Sequence, residues 1–265
     1  MPHVQIDDIQ LWYERAGAGP PLLFISGTGA DLRLRPGVFD GPYAKAFDLI
    51  AYDQRGLGRS SKPDEPYSMA RYADDAAALL DVVGWASARV LGVSFGGMVA
   101  QELTLRHPAR VERLVLACTS PGGAGGSSFP FHEIGHLHGE ARARHLIPIA
   151  DTRRDEAWAA ANPALHAQLI AAGAVDPFAD EPGRAAGALR QLEARAAHDT
   201  WSRLDQIRCP VLIAAGRHDG IALPAAQEAM ARRIPGAILK WFDGGHMFML
   251  QDRTANPAII DFLGA

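Results

Sequence analysis

The chain has 265 residues, enough to bury the core of one α/β domain with an insertion or of two small domains. Apolar residues make up 48% and charged residues 21%, and the formal charge of −4 leaves no electrostatic footprint for nucleic acid or an anionic membrane. No apolar run reaches the length of a membrane span, and MPHVQIDDIQ lacks the basic and apolar regions of a signal peptide, so a cytoplasmic protein is expected, with Cys118 and Cys209 as buried free thiols.

HVQI and IQLWYER, parted by Asp7-Asp8, predict an antiparallel hairpin. Six short apolar runs follow: PLLFISG (21–27), FDLIAYD (47–53), ARVLGVS (88–94), VERLVLACTS (111–120), CPVLIAAG (209–216) and AILKWFD (237–243). Near-continuous apolar strands suit a parallel sheet covered on both faces. Helical patterns lie between them at 68–85, where Ser68 is a plausible N-cap, at 95–108 and at 254–264. Strands alternating with helices predict right-handed crossovers and a mostly parallel sheet flanked by helices.

The alternation fails between about 121 and 203. PGGAGGSSFP (121–130) has the composition of a flexible linker, and beyond it come helical segments rich in alanine and arginine. The expected organisation is therefore a core of residues 1–120 and 204–265 with a helical lid, 121–203, inserted between two of its strands.

Gly92-Val93-Ser94-Phe95-Gly96 is G-x-S-x-G between a predicted strand and a predicted helix. A serine on so sharp a turn is lifted above the sheet, with the helix N-terminus aimed at any oxyanion formed beside it. Small residues two before and two after it are needed because backbone passes too close for side chains.

On these residues the chain resembles the α/β-hydrolase superfamily over nearly its whole length apart from the lid, nearest its enol-lactonase and small carboxylesterase branches. That resemblance implies a triad in the order serine, acid, histidine, each on a loop after a strand. Asp219, in Arg217-His218-Asp219-Gly220, then looks like the acid, and His246, in Gly244-Gly245-His246-Met247, like the base. Asp243 is the fallback acid. The stretch from Asp53 to Ser60 is similar to the superfamily's D-x-R-G-x-G-x-S turn, which is structural. The resemblance also implies an oxyanion hole of two main-chain N–H groups. One belongs to Phe95. The family usually shows His-Gly before the other donor, whereas this chain reads Ser26-Gly27-Thr28, so Thr28 donates by position.

HEIGHLHGEAR (132–142) opens with H-E-x-x-H, the zinc pattern of metalloproteases. The longer pattern fails at Arg142, a cation where a third histidine should ligate, and His138 and His145 have the wrong spacing. The reading is a lid helix whose histidines face solvent or the substrate entrance, with no metal and no cofactor. Met98, Phe129, Phe131, Trp158, Trp201, Met247 and Phe248 are the candidates to line an apolar pocket.

The expected activity is hydrolysis of a small or medium apolar carboxylic ester or lactone through an acyl-enzyme on Ser94. A small molecule is thus the expected partner, with no nucleic acid and no membrane. The competing readings are a receptor or carrier on the same fold with negligible turnover, a C–C bond hydrolase, and a zinc peptidase.

Overall fold

The computed structural model describes residues 3–265. Eight strands form one sheet: β1 (His3–Ile6), β2 (Ile9–Ala16), β3 (Pro21–Ile25), β4 (Asp48–Asp53), β5 (Ala88–Val93), β6 (Val111–Ala117), β7 (Val211–Gly216) and β8 (Ile238–Phe242). Ten helices accompany them among the described residues. These are α1 (Tyr43–Ala46), α2 (Met69–Val82), α3 (Phe95–Arg106), α4 (Gly139–Ala150), α5 (Glu156–Ala161), α6 (Pro163–Ala174), α7 (Arg184–Ala196), α8 (Pro224–Arg233), α9 (Phe248–Gln251) and α10 (Ala255–Gly264).

The strand order is β1-β2-β4-β3-β5-β6-β7-β8. The hairpin and its junction to β4 are antiparallel, and every other pairing is parallel. The chain leaves β3 for β4 on one side, then returns to place β5 on the other. In an open sheet this reversal opens a crevice beyond the carboxyl ends of the strands, where ligands bind.

Alternation along the strands explains their composition. Leu23, Val90, Leu114 and Ile213 face one layer, packed with Tyr72 and Leu79 of α2 and Val99 and Leu103 of α3. Their neighbours Leu22, Leu91, Val115 and Leu212 face the opposite layer, with Phe47, Phe248, Ile259 and Leu263. Each such side chain, fully buried, contributes roughly 1.5–3 kcal/mol, so a polar residue on either face is costly. The run AILKWFD behaves differently. As β8 it is the open edge of the sheet, with Phe242 buried and Ile238 54% exposed.

Helix α2 begins where expected, with the Ser68 hydroxyl accepting the Arg71 N–H. It ends at Val82, just short of Gly84, whose φ of 76° is left-handed. Between β6 and β7 lie α4 to α7 and no regular strand. Ion pairs join this inserted segment to the core, Asp31 with Arg184 and Arg33 with Glu181. The stretch 121–130 is packed rather than a free linker. Its Pro121 carbonyl accepts the Thr200 N–H, and a Cβ on Gly125 would lie 2.2 Å from the Trp201 ring.

The turn after β4 is a structural latch. Buried Asp53 accepts the N–H groups of Leu32 and Arg59, at 2.8 and 2.9 Å, and burial raises its carboxyl to about 6 despite them. Arg55 makes two hydrogen bonds to buried Asp75, at 2.8 and 3.0 Å. No helix among the described residues is long and apolar enough to cross a membrane. Cys118 is a buried free thiol, and Cys209 is a free thiol only partly buried.

Candidate active site

Ser94 sits at the carboxyl end of β5, beside the reversal of the sheet. Its φ of 55° and ψ of −116° lie far from ordinary backbone wells for a residue with a side chain. The surroundings hold it there. Its N–H donates to Ala117 O at 2.8 Å, and its carbonyl accepts the Gly97 N–H at 2.9 Å. The two glycines of the motif are steric necessities, since a Cβ on Gly96 would stand 2.0 Å from Ile25 O and one on Gly92 2.4 Å from Gly96 O.

His246 lies on the loop between β8 and α9. Its Nε2 is 2.9 Å from Ser94 Oγ and its Nδ1 is 2.9 Å from Asp219 Oδ2. Asp219 is fully buried on the loop after β7, and its other oxygen accepts the N–H groups of Ile221 and Ala222 at 2.8 and 2.9 Å. Three side chains far apart in sequence therefore form one line of hydrogen bonds. The imidazole can take the serine proton while the carboxylate holds the ring and balances its charge. Asp243 is not in this line. It is three-quarters exposed and pairs with Arg153 at 2.8 Å.

The inserted segment braces this histidine, a support with no signal in the sequence. Ala150, at the end of α4, accepts the His246 N–H at 2.6 Å. Asp151 accepts from Gln251 Nε2 at 2.9 Å, and Gln251 in turn accepts the Gly245 N–H at 2.7 Å. A Cβ on Gly245 would lie 2.2 Å from Ala150 O, which is why the stretch before His246 is glycine.

The loop after β3 lies against the serine, with the Cβ position of Gly27 3.5 Å from Ser94 Cβ. Among the described residues, the N–H groups of Thr28 and Phe95 meet no internal acceptor. Phe95 follows Ser94 directly, and Thr28 follows Gly27, which lies against it. Among the described residues no histidine hydrogen-bonds to this loop. Gln54 Nε2 donates to Ser26 O at 2.8 Å, Gly29 N–H donates to Gln191 Oε1 at 2.8 Å, and Arg195 Nη1 donates to the Thr28 hydroxyl at 2.9 Å. Sequence reasoning missed Gln54, Gln191 and Arg195 as supports of the loop. The one available signal was the four-residue spacing of Gln191 and Arg195, which puts both on one face of α7.

A cavity of about 250 Å³ lies between α7, the start of α3 and residues 127–132. Met98, Phe129 and Phe131 line it, together with Ser120, Arg195 and His198. Burial lowers the His198 imidazole to about 4, so it is neutral at pH 7. Four other candidates lie elsewhere. Trp158 packs on His166 and Arg154, Trp201 on Arg233 and Gly125, and Phe248 stacks on Phe242 within the core. Met247 is 52% exposed, because the residue after His246 turns outward.

The HEIGH stretch is not on an α-helix. Phe131–Ile134 is a short 3-10 turn, Gly135 follows it, and α4 starts only at Gly139. The i,i+4 presentation that would aim His132 and His136 at one ion is thus missing. Among the described residues no three His, Cys, Asp or Glu side chains converge on a point where a metal ion could sit.

Residues 20–252 match the family model of the alpha/beta hydrolase fold. The chain is 32% identical to a poly(3-hydroxyalkanoate) depolymerase of Ectopseudomonas oleovorans, over 92% of this chain and 84% of that one. It is also 32% identical to a protein of Azorhizobium caulinodans assigned as the carbamate hydrolase RutD, over 100% and 98% of the two chains. Among solved structures, the enol-lactonase from Burkholderia xenovorans LB400 superposes with a TM-score of 0.80 at 26% identity, covering 100% of both chains.

Proposed function

The chain belongs to the α/β-hydrolase fold family, and on that premise we propose that it is a serine hydrolase of carboxylic esters or lactones, acting through an acyl-enzyme on Ser94. The observation that carries this reading is the unbroken line Asp219–His246–Ser94, with both hydrogen bonds at 2.9 Å. The names of the depolymerase and the enol-lactonase, both cleavers of ester-type bonds, support it.

In the proposed reaction Ser94 Oγ attacks the substrate carbonyl carbon while His246 Nε2 takes its proton. The carbonyl oxygen becomes an oxyanion held by the N–H groups of Thr28 and Phe95, at the positive end of α3. His246 then gives the proton to the departing alkoxide, and the ester C–O bond breaks. Water, deprotonated by the same nitrogen, releases the acid and restores the serine. Residues 121–203 serve as the covering lid. Support for that role comes from the ion pairs of Arg33 and Arg184 across the interface and from the bond between His246 and Ala150.

Intact-mass measurement after exposure to a fluorophosphonate, with a chelator present, tests the reading. One adduct is expected on the wild type and none on Ser94→Ala. The same substitution should lower kcat/KM on p-nitrophenyl esters by at least about 10⁴-fold. An adduct that persists on Ser94→Ala would remove the serine from the mechanism, and an unlabelled wild type would favour a binding protein on this fold.

A further inference from the structure

Arg195, in the last turn of α7, is the second buried arginine of the described residues, at 6% exposure. Its one hydrogen bond goes to a neutral acceptor, the Thr28 hydroxyl, and its Nε has no partner. Asp219 is the carboxylate whose charge it feels, and that side chain is already engaged with His246 and two main-chain N–H groups. Burial lowers the guanidinium to about 10, so it remains a cation at neutral pH. A buried cation without a hydrogen-bonded counter-charge is costly to keep. Elsewhere this chain avoids that cost. Arg33, Arg184 and Arg203 each meet a carboxylate across the interface between the inserted segment and the core.

Three side chains with an unpartnered polar atom share one space. Arg195 lines the 250 Å³ cavity with His198, whose Nε2 is also unpartnered, and with Ser120, whose hydroxyl is unpartnered too. Met98 and Phe131 supply apolar lining to the same space. Met98 is one helical turn beyond Ser94, while Thr28, to which Arg195 is bonded, stands in the oxyanion loop. A tetrahedral carbon on Ser94 directs its oxyanion to that loop and its leaving group to His246. Met98 and Arg195, the latter bonded to Thr28, line the cavity, whereas His246 does not.

Resting on the reading of Ser94 as nucleophile, we propose that Arg195 is a specificity residue, holding a second carboxylate on the acyl part of an ester or lactone substrate. A planar guanidinium offers two parallel N–H donors to a carboxylate, a fit that an ammonium lacks. The substrate class is then the half-esters of dicarboxylic acids and lactones bearing a free carboxylate, with the methylene chain lying against Met98 and Phe131.

The test compares p-nitrophenyl hemiglutarate with its neutral counterpart p-nitrophenyl valerate, on wild type, Arg195→Met and Arg195→Lys. The wild type should prefer the anionic ester. Arg195→Met should lower the anionic-to-neutral ratio of kcat/KM by about 30-fold, and Arg195→Lys should restore part of it. Glutarate should raise the melting temperature of Ser94→Ala and not that of Ser94→Ala/Arg195→Met. The methionine variant should itself melt no lower than the wild type, because it removes an unpaired buried charge. An equal loss on both esters, or no response of Ser94→Ala to glutarate, overturns the proposal while leaving the serine-hydrolase reading intact. Turnover of neither ester, with glutarate still binding through Arg195, overturns that reading and keeps the anion site.

Discussion

Arg55 and Arg195 are both buried, in two regions of the molecule that treat a charge in opposite ways. In the turn after β4, Arg55 meets Asp75 at 2.8 Å and reaches Asp8 and Glu65 at 3.2 and 3.4 Å. Burial works against its charge, yet the hydrogen bonds to Asp75 and Asp8 more than offset that, and its pKa is raised. On the inner face of α7, Arg195 has a hydroxyl and no carboxylate. Its pKa is lowered. The first region has its electrostatics completed within the chain and serves stability. The second leaves Arg195 Nε open beside a cavity that reaches Met98, one turn beyond Ser94, as a surface built for a ligand would.

The contrast can be attacked from its strongest side first. Arg55→Met leaves Asp75 buried without its cation and should cost about 3–5 kcal/mol, read as a lower urea midpoint with unchanged slope. Should Arg55→Met prove as stable as Arg195→Met, the two burials would not differ and the contrast would collapse.

A slightly smaller effect belongs to His198, on the ligand side. Its folded pKa of about 4 lies below the ordinary 6.5, so the unfolded chain binds more protons between those values. The associated stability is fully present above pH 6.5 and is lost as pH falls towards 4, amounting to about 3 kcal/mol. Buried Asp53, raised to about 6, works in the opposite sense over the same range, so the readout is a difference: from pH 7 to pH 4.5 the wild type should lose more melting temperature than His198→Gln does. A variant whose acid slope equals that of the wild type would place the proton uptake elsewhere.

The smallest effect is at Gln191, whose Oε1 accepts the Gly29 N–H in the loop after β3. Gln191→Leu should cost about 1 kcal/mol, appearing as a drop of about fivefold in kcat rather than a rise in KM, since it loosens the loop that carries Thr28. A change confined to KM would move Gln191 from support of the loop to contact with substrate.

Much of this was legible beforehand because it is local. The runs that became β3 to β7 announce themselves by near-continuous apolar stretches, as strands covered on both faces require, with charges such as Arg89, Glu112 and Arg113 confined to their first residues. G-x-S-x-G was informative because Gly92 and Gly96 answer to backbone within a few residues or one strand away. AILKWFD looked like its neighbours, yet being an edge strand is a property of the whole sheet. HEIGH matched a pattern that presupposes a helix, and the chain there makes only a 3-10 turn. The glycines of 121–130 looked like slack. Gly122, Gly123 and Gly126 instead adopt positive φ, at 71°, 50° and 101°, in a turn packed under Trp201.

The sequence by itself determined the layered α/β fold, the place of the strand-to-helix elbow and the residue types at Ser94, Asp219 and His246. Periodicity and steric exclusion act over a few residues, and those act alike in any context. Only the tertiary structure decided that Ala150 and Asp151 brace His246, and that Gln191 and Arg195 hold the loop after β3. It alone separated Arg195 from Arg190, which lies five residues earlier on the same helix and pairs with Asp64 and Glu193. Whether a charged side chain is neutralised depends on which distant carboxylates the fold brings within a few ångströms, and electrostatic partnership across the chain leaves no periodic trace in the sequence.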